Sequence, residues 1–130
     1  MLIGLDGQAT IALRSAGQPV PPPVLARGLL DTGTNITSIA ATVLQQLGLA
    51  PSAAGTTQTA SGAVGVNLFT VSLSITDPSR PGSPWFTQAD LLVMELAALL
   101  PDADVLIGLD VLLECTLVVD DPSRQFTLES

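Results

Sequence analysis

The 130-residue sequence contains no histidine, no lysine and no tyrosine, and its only cationic side chains are four arginines. Without histidine the chain cannot assemble a Ser-His-Asp or Cys-His catalytic group or a histidine metal site. Without lysine it has neither a Schiff-base amine nor the lysine of a phosphate-binding P-loop. The reactive chemistry left to this chain is that of carboxylates and hydroxyls, and we expect no metal and no cofactor.

The shortage of cations also limits the possible partners. The formal net charge is −8, whereas nucleic acids and anionic membrane surfaces bind basic patches. We therefore expect neither as a partner. The single cysteine, Cys115, lies in an apolar stretch, which predicts a buried free thiol.

Long hydrophobic runs are missing as well. Glu95, Pro101 and Asp102 interrupt the longest apolar region, so it falls short of the roughly 18 residues of a membrane span. Met1–Leu5 carries no basic leader. These absences predict a soluble, cytoplasmic protein, and the length predicts one domain over residues 1–130.

Short apolar segments separated by turn residues predict a mainly β chain. Asp6-Gly7 is typical of a hairpin turn, and Ala9–Arg14 alternates as a half-buried strand does. Ser15–Pro23 predicts a loop. Its proline-rich part, residues 19–23, is either an inserted exposed segment or a partner-binding motif.

A polar turn follows the next apolar strand. Val24–Leu30 predicts that strand, and Asp31-Thr32-Gly33-Thr34 then places a carboxylate among hydroxyl and amide partners. Apolar residues at helical spacing from Ile36 to Leu47 predict a helix, with Thr37 or Ser38 as its cap. Gly48 suits the position after the helix end.

Further strands follow. Small residues on either side of Ala60-Ser61-Gly62 predict a hairpin with a glycine near its tip. Asn67–Thr76 alternates as a strand, Asp77–Pro84 predicts a loop, and Asp90–Leu96 is apolar enough for a central strand. The remaining predictions are a buried strand at Val105–Gly108, a short helix from Val111 to Glu114 capped by Asp110, and a hairpin pairing Thr116–Asp120 with Gln125–Leu128.

Three of these features occur in an informative order. A strand, Asp31-Thr32-Gly33 and a helix come first, a glycine-tipped hairpin follows, and Leu106-Ile107-Gly108-Leu109-Asp110 comes last. This order resembles the retropepsin-like aspartic proteases, most closely their cellular and bacterial members. The resemblance implies a single-lobe acid-protease β-barrel with one or two short helices, active as a symmetric dimer.

The resemblance also implies a mechanism and its residues. Two aspartates would share one proton across a water that attacks a peptide carbonyl. Thr32 would link the two catalytic loops, the Gly33 N–H would bind a carboxylate oxygen, and a Thr34 hydroxyl bonded to ionised Asp31 would shift the activity optimum to acid pH. Ala60, Ser61 and Gly62 would close as a flap over an extended peptide or protein substrate.

One count constrains that mechanism. The chain has a single Asp-Thr-Gly, so a working site requires Asp31 from each of two identical chains around a two-fold axis. By resemblance, Met1–Leu5 and Phe126–Ser130 would interlace at the interface.

The sequence departs from the family pattern at some points, and two other hypotheses stay open. Leu109 stands where viral members often have an arginine, and the flap has no aromatic residue. The chain is an aspartic endopeptidase, a catalytically weak or inactive peptide-binding or dimerisation module of the same fold, or an unrelated small β protein with a chance Asp-Thr-Gly.

Overall fold

A computed structural model of the chain describes residues 1–77, 84–96, 98 and 100–129. Ten strands and three helices are found in these ranges. In chain order they are β1 (Leu2–Leu5), α1 (Gly7–Ser15), β2 (Val24–Leu25), β3 (Gly28–Leu30), β4 (Ser38–Ile39), α2 (Ala41–Gln46), β5 (Ala53–Thr59), β6 (Gly62–Thr76), β7 (Pro84–Glu95), β8 (Val105–Ile107), α3 (Leu109–Leu112), β9 (Thr116–Asp120) and β10 (Gln125–Glu129).

The predicted mainly β, single-lobe architecture is confirmed. Seven strands follow the order β2-β1-β6-β7-β4-β8-β3, and β5 pairs with the first part of β6. The prediction differs from the structure in two details, because the described strands form an open sheet rather than a closed barrel, and the described helices number three rather than one or two. The strand predicted around Asp90–Leu96 is β7, which lies inside the sheet as expected.

One face of the long strand β6 carries the centre of the core. Phe69, Val71 and Leu73 alternate along β6 and are buried. Apolar side chains from the neighbouring strands and from α2 and α3 pack with them; the fully buried ones are Ile3, Ile39, Leu44, Val93, Val105 and Val111. Burial of such side chains supplies most of the driving force for folding.

The predicted strand at Ala9–Arg14 is wrong, because α1 occupies Gly7–Ser15. Asp6 does not form a hairpin turn; it caps the helix, and its side chain accepts a hydrogen bond from the Ala9 N–H at 3.0 Å. No residue of α1 is buried. The apolar alternation in this segment therefore does not correspond to a buried strand face. Its alanine, leucine and arginine residues instead favour a helix.

The helix predicted from Ile36 begins later, at Ala41. Ser38 and Ile39 belong instead to β4, which pairs with β7 on one side and β8 on the other. The predicted cap by Thr37 or Ser38 is therefore wrong, and Ala40 takes that position without a side-chain cap. Gly48 follows the helix end with φ +65°, as predicted.

The predicted loops are shorter in the structure, because Ser15 belongs to α1 and Pro84 begins β7. Residues 19–23 form an irregular segment between α1 and β2. The predicted loop at Asp77–Pro84 lies mostly in 78–83, outside the described residues. None of the helices in the described ranges is long and apolar enough to cross a membrane.

The two ends of the chain behave differently. β1 pairs within the same chain, with β2 at Leu2 and Ile3 and with β6 from Leu2 to Leu5; the expected interlacing of Met1–Leu5 with a second copy stays a prediction. At the other end, the predicted hairpin is confirmed as β9 and β10, which form a separate two-stranded sheet. Cys115, between α3 and β9, is half-buried rather than buried.

Candidate active site

Strand β3 fixes the point at which Asp31 enters its turn. β3 runs parallel to β8, with Leu30 opposite Ile107. The Asp31 N–H continues this pairing by donating to the Ile107 carbonyl at 2.9 Å. Asp31 is thus anchored through its backbone to the sheet, while its side chain is half-exposed.

The turn itself orients the Asp31 carboxylate. The Gly33 N–H donates to Asp31 Oδ1 at 2.9 Å, and the Thr34 N–H donates to the Asp31 carbonyl at 3.3 Å. A Cβ placed on Gly33 would lie 3.2 Å from Asp31 Oδ1. A larger residue would therefore crowd the carboxylate, which explains why glycine suits this position.

The predicted hydrogen bond from the Thr34 hydroxyl to Asp31 is not formed among the described residues. The methyl carbon of Thr34 instead lies 3.0 Å from the place that a Cβ on Gly108 would take. The side chain therefore contacts the segment after β8. The expectation of an acid-shifted optimum loses the contact on which it was based.

The segment that follows β8, residues 108–110, supports the turn through backbone hydrogen bonds, and we call this contact the brace. The Leu109 N–H donates to the Thr34 carbonyl at 2.9 Å, and the Asp110 N–H donates to the Asn35 carbonyl at 3.1 Å. A Cβ on Gly108 would meet the carbonyl carbon of Ile36 at 2.9 Å. Backbone can approach backbone this closely only because Gly108 has no side chain.

The buried Thr37 hydroxyl and the half-buried Asp110 carboxylate add a side-chain contact between the two segments. The Thr37 hydroxyl donates to Asp110 Oδ1 at 2.7 Å, and the Thr37 N–H donates to Asp110 Oδ2 at 2.9 Å. The same hydroxyl accepts from the buried Gly108 N–H at 3.0 Å. Asp110 is thus not the cap predicted for α3, because Gly108 holds that position and Asp110 lies in the first turn. The contact of Thr37 with Asp110 was not predicted, because its partner is distant in sequence and Thr37 by itself is typical of a helix cap.

The hairpin of β5 and β6 forms as predicted. Thr59 pairs with Gly62, which leaves Ala60 and Ser61 as the turn. Gly62 has φ +117°, a backbone region that side chains disfavour. Asp31, Thr32, Gly33 and Thr34 thus share one turn, whereas Ala60, Ser61 and Gly62 form the tip of a separate hairpin.

A groove that no sequence pattern indicated borders the Asp31 turn. Its volume is about 1040 Å³. Its lining includes Thr32 and residues of the β9–β10 hairpin, with Trp85 and Phe126 among the apolar ones. Val119 and Phe126 of the hairpin are 72% and 60% exposed.

Taken together, a mainly β lobe and a braced Asp-Thr-Gly turn define a protein with the architecture of an aspartic peptidase. A family model described as aspartyl protease matches residues 11–111. The chain therefore belongs to the aspartyl protease family, and the retropepsin-like resemblance is confirmed. The matched range ends in α3 and does not include the β9–β10 hairpin. No match was found among curated proteins or among solved structures.

Proposed function

We propose that this protein is a homodimeric aspartic endopeptidase, in which the Asp31 carboxylates of two copies activate one water. The observation that most supports this proposal is the geometry of the turn at Asp31. There the Gly33 N–H orients a half-exposed carboxylate, and residues 108–110 support the loop. Such preorganisation is what a catalytic carboxylate needs. Membership of a peptidase family supports the same chemistry.

The proposed reaction divides one proton between two carboxylates. The ionised Asp31 removes a proton from the water as its oxygen attacks the peptide carbonyl, and the protonated Asp31 of the second copy donates to the carbonyl oxygen. The C–N bond then breaks as the first Asp31 passes the proton it took from water to the nitrogen and the second Asp31 regains a proton from a hydroxyl of the intermediate, which releases the amine and the carboxylic acid. Ala60, Ser61 and Gly62 close over the extended substrate, and Thr32 lies where the two catalytic loops meet.

The dimer contact that we propose uses the groove beside Thr32. Val119 and Phe126 present exposed apolar surface there, and a stable dimer needs roughly 1,200–2,000 Å² of buried surface. A Phe126→Ser variant should lower the dimer fraction in sedimentation equilibrium. Leu92→Ser, which changes an exposed apolar residue of β7 outside the groove, is the matched control and should leave the fraction unchanged.

A cleavage assay tests the catalytic claim. The protein is incubated with a denatured protein mixture from acid to neutral pH, beside Asp31→Asn and beside Asp102→Asn, an exposed carboxylate in a distant stretch of sequence. We expect cleavage by the wild type and by Asp102→Asn only. Cleavage that persists in Asp31→Asn excludes Asp31 from the mechanism, and no cleavage by any variant favours a peptide-binding or dimerisation module.

A mixing experiment tests the requirement for two copies. With an approximately ninefold excess of Asp31→Asn protein, random pairing leaves about a tenth of the wild-type protomers in wild-type dimers. Activity per wild-type protomer should therefore fall to about a tenth after subunit exchange. An activity per wild-type protomer that stays the same or rises after exchange would mean that one Asp31 is sufficient.

A further inference from the structure

A second, smaller cavity lies at the base of the β5–β6 hairpin. Its volume is about 450 Å³, and it is separate from the groove beside Thr32. It is lined by Ala54, Gly55, Gly65, Val66, Asn67, Glu95 and Leu96. We call it the flap-base cavity.

Each arm of the hairpin contributes a glycine to the cavity lining, Gly55 from β5 and Gly65 from β6. Gly55 pairs with Val66 and Gly65 pairs with Thr56 across the hairpin. Apart from Gly65 and its two chain neighbours, no described residue has an atom within 4 Å of the place that a Cβ on Gly65 would take. Backbone atoms of both arms therefore form part of the cavity wall. The cavity volume suits one long side chain better than a folded partner.

Glu95 brings a carboxylate to this cavity from the end of β7. It is half-buried, and the Asn67 amide donates to its Oε2 at 3.3 Å. No cation pairs with it within the described part of the chain. Between Arg27 and Arg124 the sequence has one cationic residue, Arg80. A partly buried carboxylate without a countercharge favours a cationic ligand.

We propose that the flap-base cavity is an exosite for a basic side chain of the polypeptide substrate. This inference rests on the proposed function, since it takes the ligand to be a polypeptide. The Glu95 carboxylate pairs with the ammonium or guanidinium group, while Val66 and Leu96 contact the aliphatic stem. The net charge of −8 attracts such substrates in addition.

Cleavage kinetics supply the first test. Peptides with a common cleavage core carry arginine or its neutral isostere citrulline, placed in turn at each flanking position. At one or more positions we expect arginine to raise kcat/KM roughly fivefold at low salt, mainly through KM, and less at high salt. Arginine that gives no advantage at any position overturns the proposal.

Two matched variants locate the effect. Glu95→Gln keeps the acceptor for Asn67 and removes only the charge, so the arginine advantage should fall to about onefold while citrulline peptides are cleaved as before. Glu114→Gln removes an exposed charge at the end of α3 and should keep the advantage. An advantage that survives in Glu95→Gln refutes the assignment to this cavity.

A binding experiment does not depend on catalysis. In ¹⁵N-labelled protein, the arginine peptide should shift the Asn67 side-chain amide and the Gly55 and Gly65 backbone amides, and the citrulline peptide and Glu95→Gln should abolish these shifts. If no peptide is cleaved but these shifts appear, the peptidase proposal fails and the cationic site stands. Equal binding of free agmatine and the arginine peptide, without an arginine advantage in cleavage, would instead assign the cavity to small free amines and overturn the exosite.

Discussion

A substitution of Thr37 tests the brace, in which residues 108–110 support the turn at Asp31. It donates to Asp110 Oδ1 at 2.7 Å and accepts from the Gly108 N–H at 3.0 Å, and Thr37 is fully buried. Thr37→Val removes the hydroxyl with little change in shape. The Thr37 N–H can still donate to Asp110, so the substitution affects two hydrogen bonds and leaves the third.

The expected magnitude follows from those two bonds. Loss of a hydrogen bond to a charged group costs about 1.5–3 kcal/mol, and an unsatisfied buried N–H costs about 1–3 kcal/mol. Local relaxation reduces the sum, so we expect the free energy of unfolding to fall by about 3 kcal/mol, against roughly 5–15 kcal/mol for a typical domain. Thr37→Ser keeps the hydroxyl and loses one methyl group, which should cost about 1 kcal/mol.

Urea unfolding monitored by the fluorescence of Trp85, the single tryptophan, measures these changes. The protomer concentration must be held constant, because dimerisation would add to the apparent stability. A double-mutant cycle with Asp110→Asn should give a coupling energy of at least about 1 kcal/mol. If Thr37→Val costs no more than Thr37→Ser, or if the two substitutions are additive, the hydroxyl is not part of the brace.

Three further outcomes are expected. Gly108→Ala should destabilise the protein by about 2 kcal/mol or more in urea unfolding, because its Cβ would meet backbone; an unchanged midpoint would show that the brace can move aside. Gly62→Ala, at φ +117°, should lower kcat/KM several-fold with little change in global stability, since the hairpin tip is exposed; unchanged hydrolysis would separate this turn from catalysis. Burial and then the Glu114 carboxylate raise the pKa of the Cys115 thiol, so iodoacetamide should react more slowly than with free cysteine at pH 7.5 and faster as pH rises; a rate already at its plateau at pH 7.5 would contradict this.

Local sequence patterns were sufficient to predict the turn at Asp31 and both hairpins. Asp31-Thr32-Gly33 follows an apolar strand, and Gly62 and the Asp121–Arg124 turn stand between alternating segments. In each case the residues that specify the turn are adjacent in sequence. The structure places β3, β5–β6 and β9–β10 accordingly.

Prediction failed where long-range contacts or missing burial decided the outcome. The sequence around Thr37 is typical of a helix cap, but its hydroxyl donates a hydrogen bond to the carboxylate of Asp110, 73 residues away. Pairing with β7 and β8 likewise draws Ser38 and Ile39 into a strand before α2 begins. At α1 the cap by Asp6 and helix propensity prevail because no residue of that segment is buried.

The proposed mechanism needs a second carboxylate, and the exposed groove of this chain borders the turn that carries the first one, Asp31. β3, which leads into Asp31, stands at the end of the sheet order and pairs with β8 alone among the described strands. Its Leu29 is 52% exposed and lines the same groove as Thr32 and Phe126. A second copy that covered this groove would bring its own β3, and therefore its own Asp31, to the exposed edge of the first. Under the proposed mechanism the second Asp31 arrives across this groove, so the peptidase mechanism requires the dimer, whereas the dimer does not require catalysis.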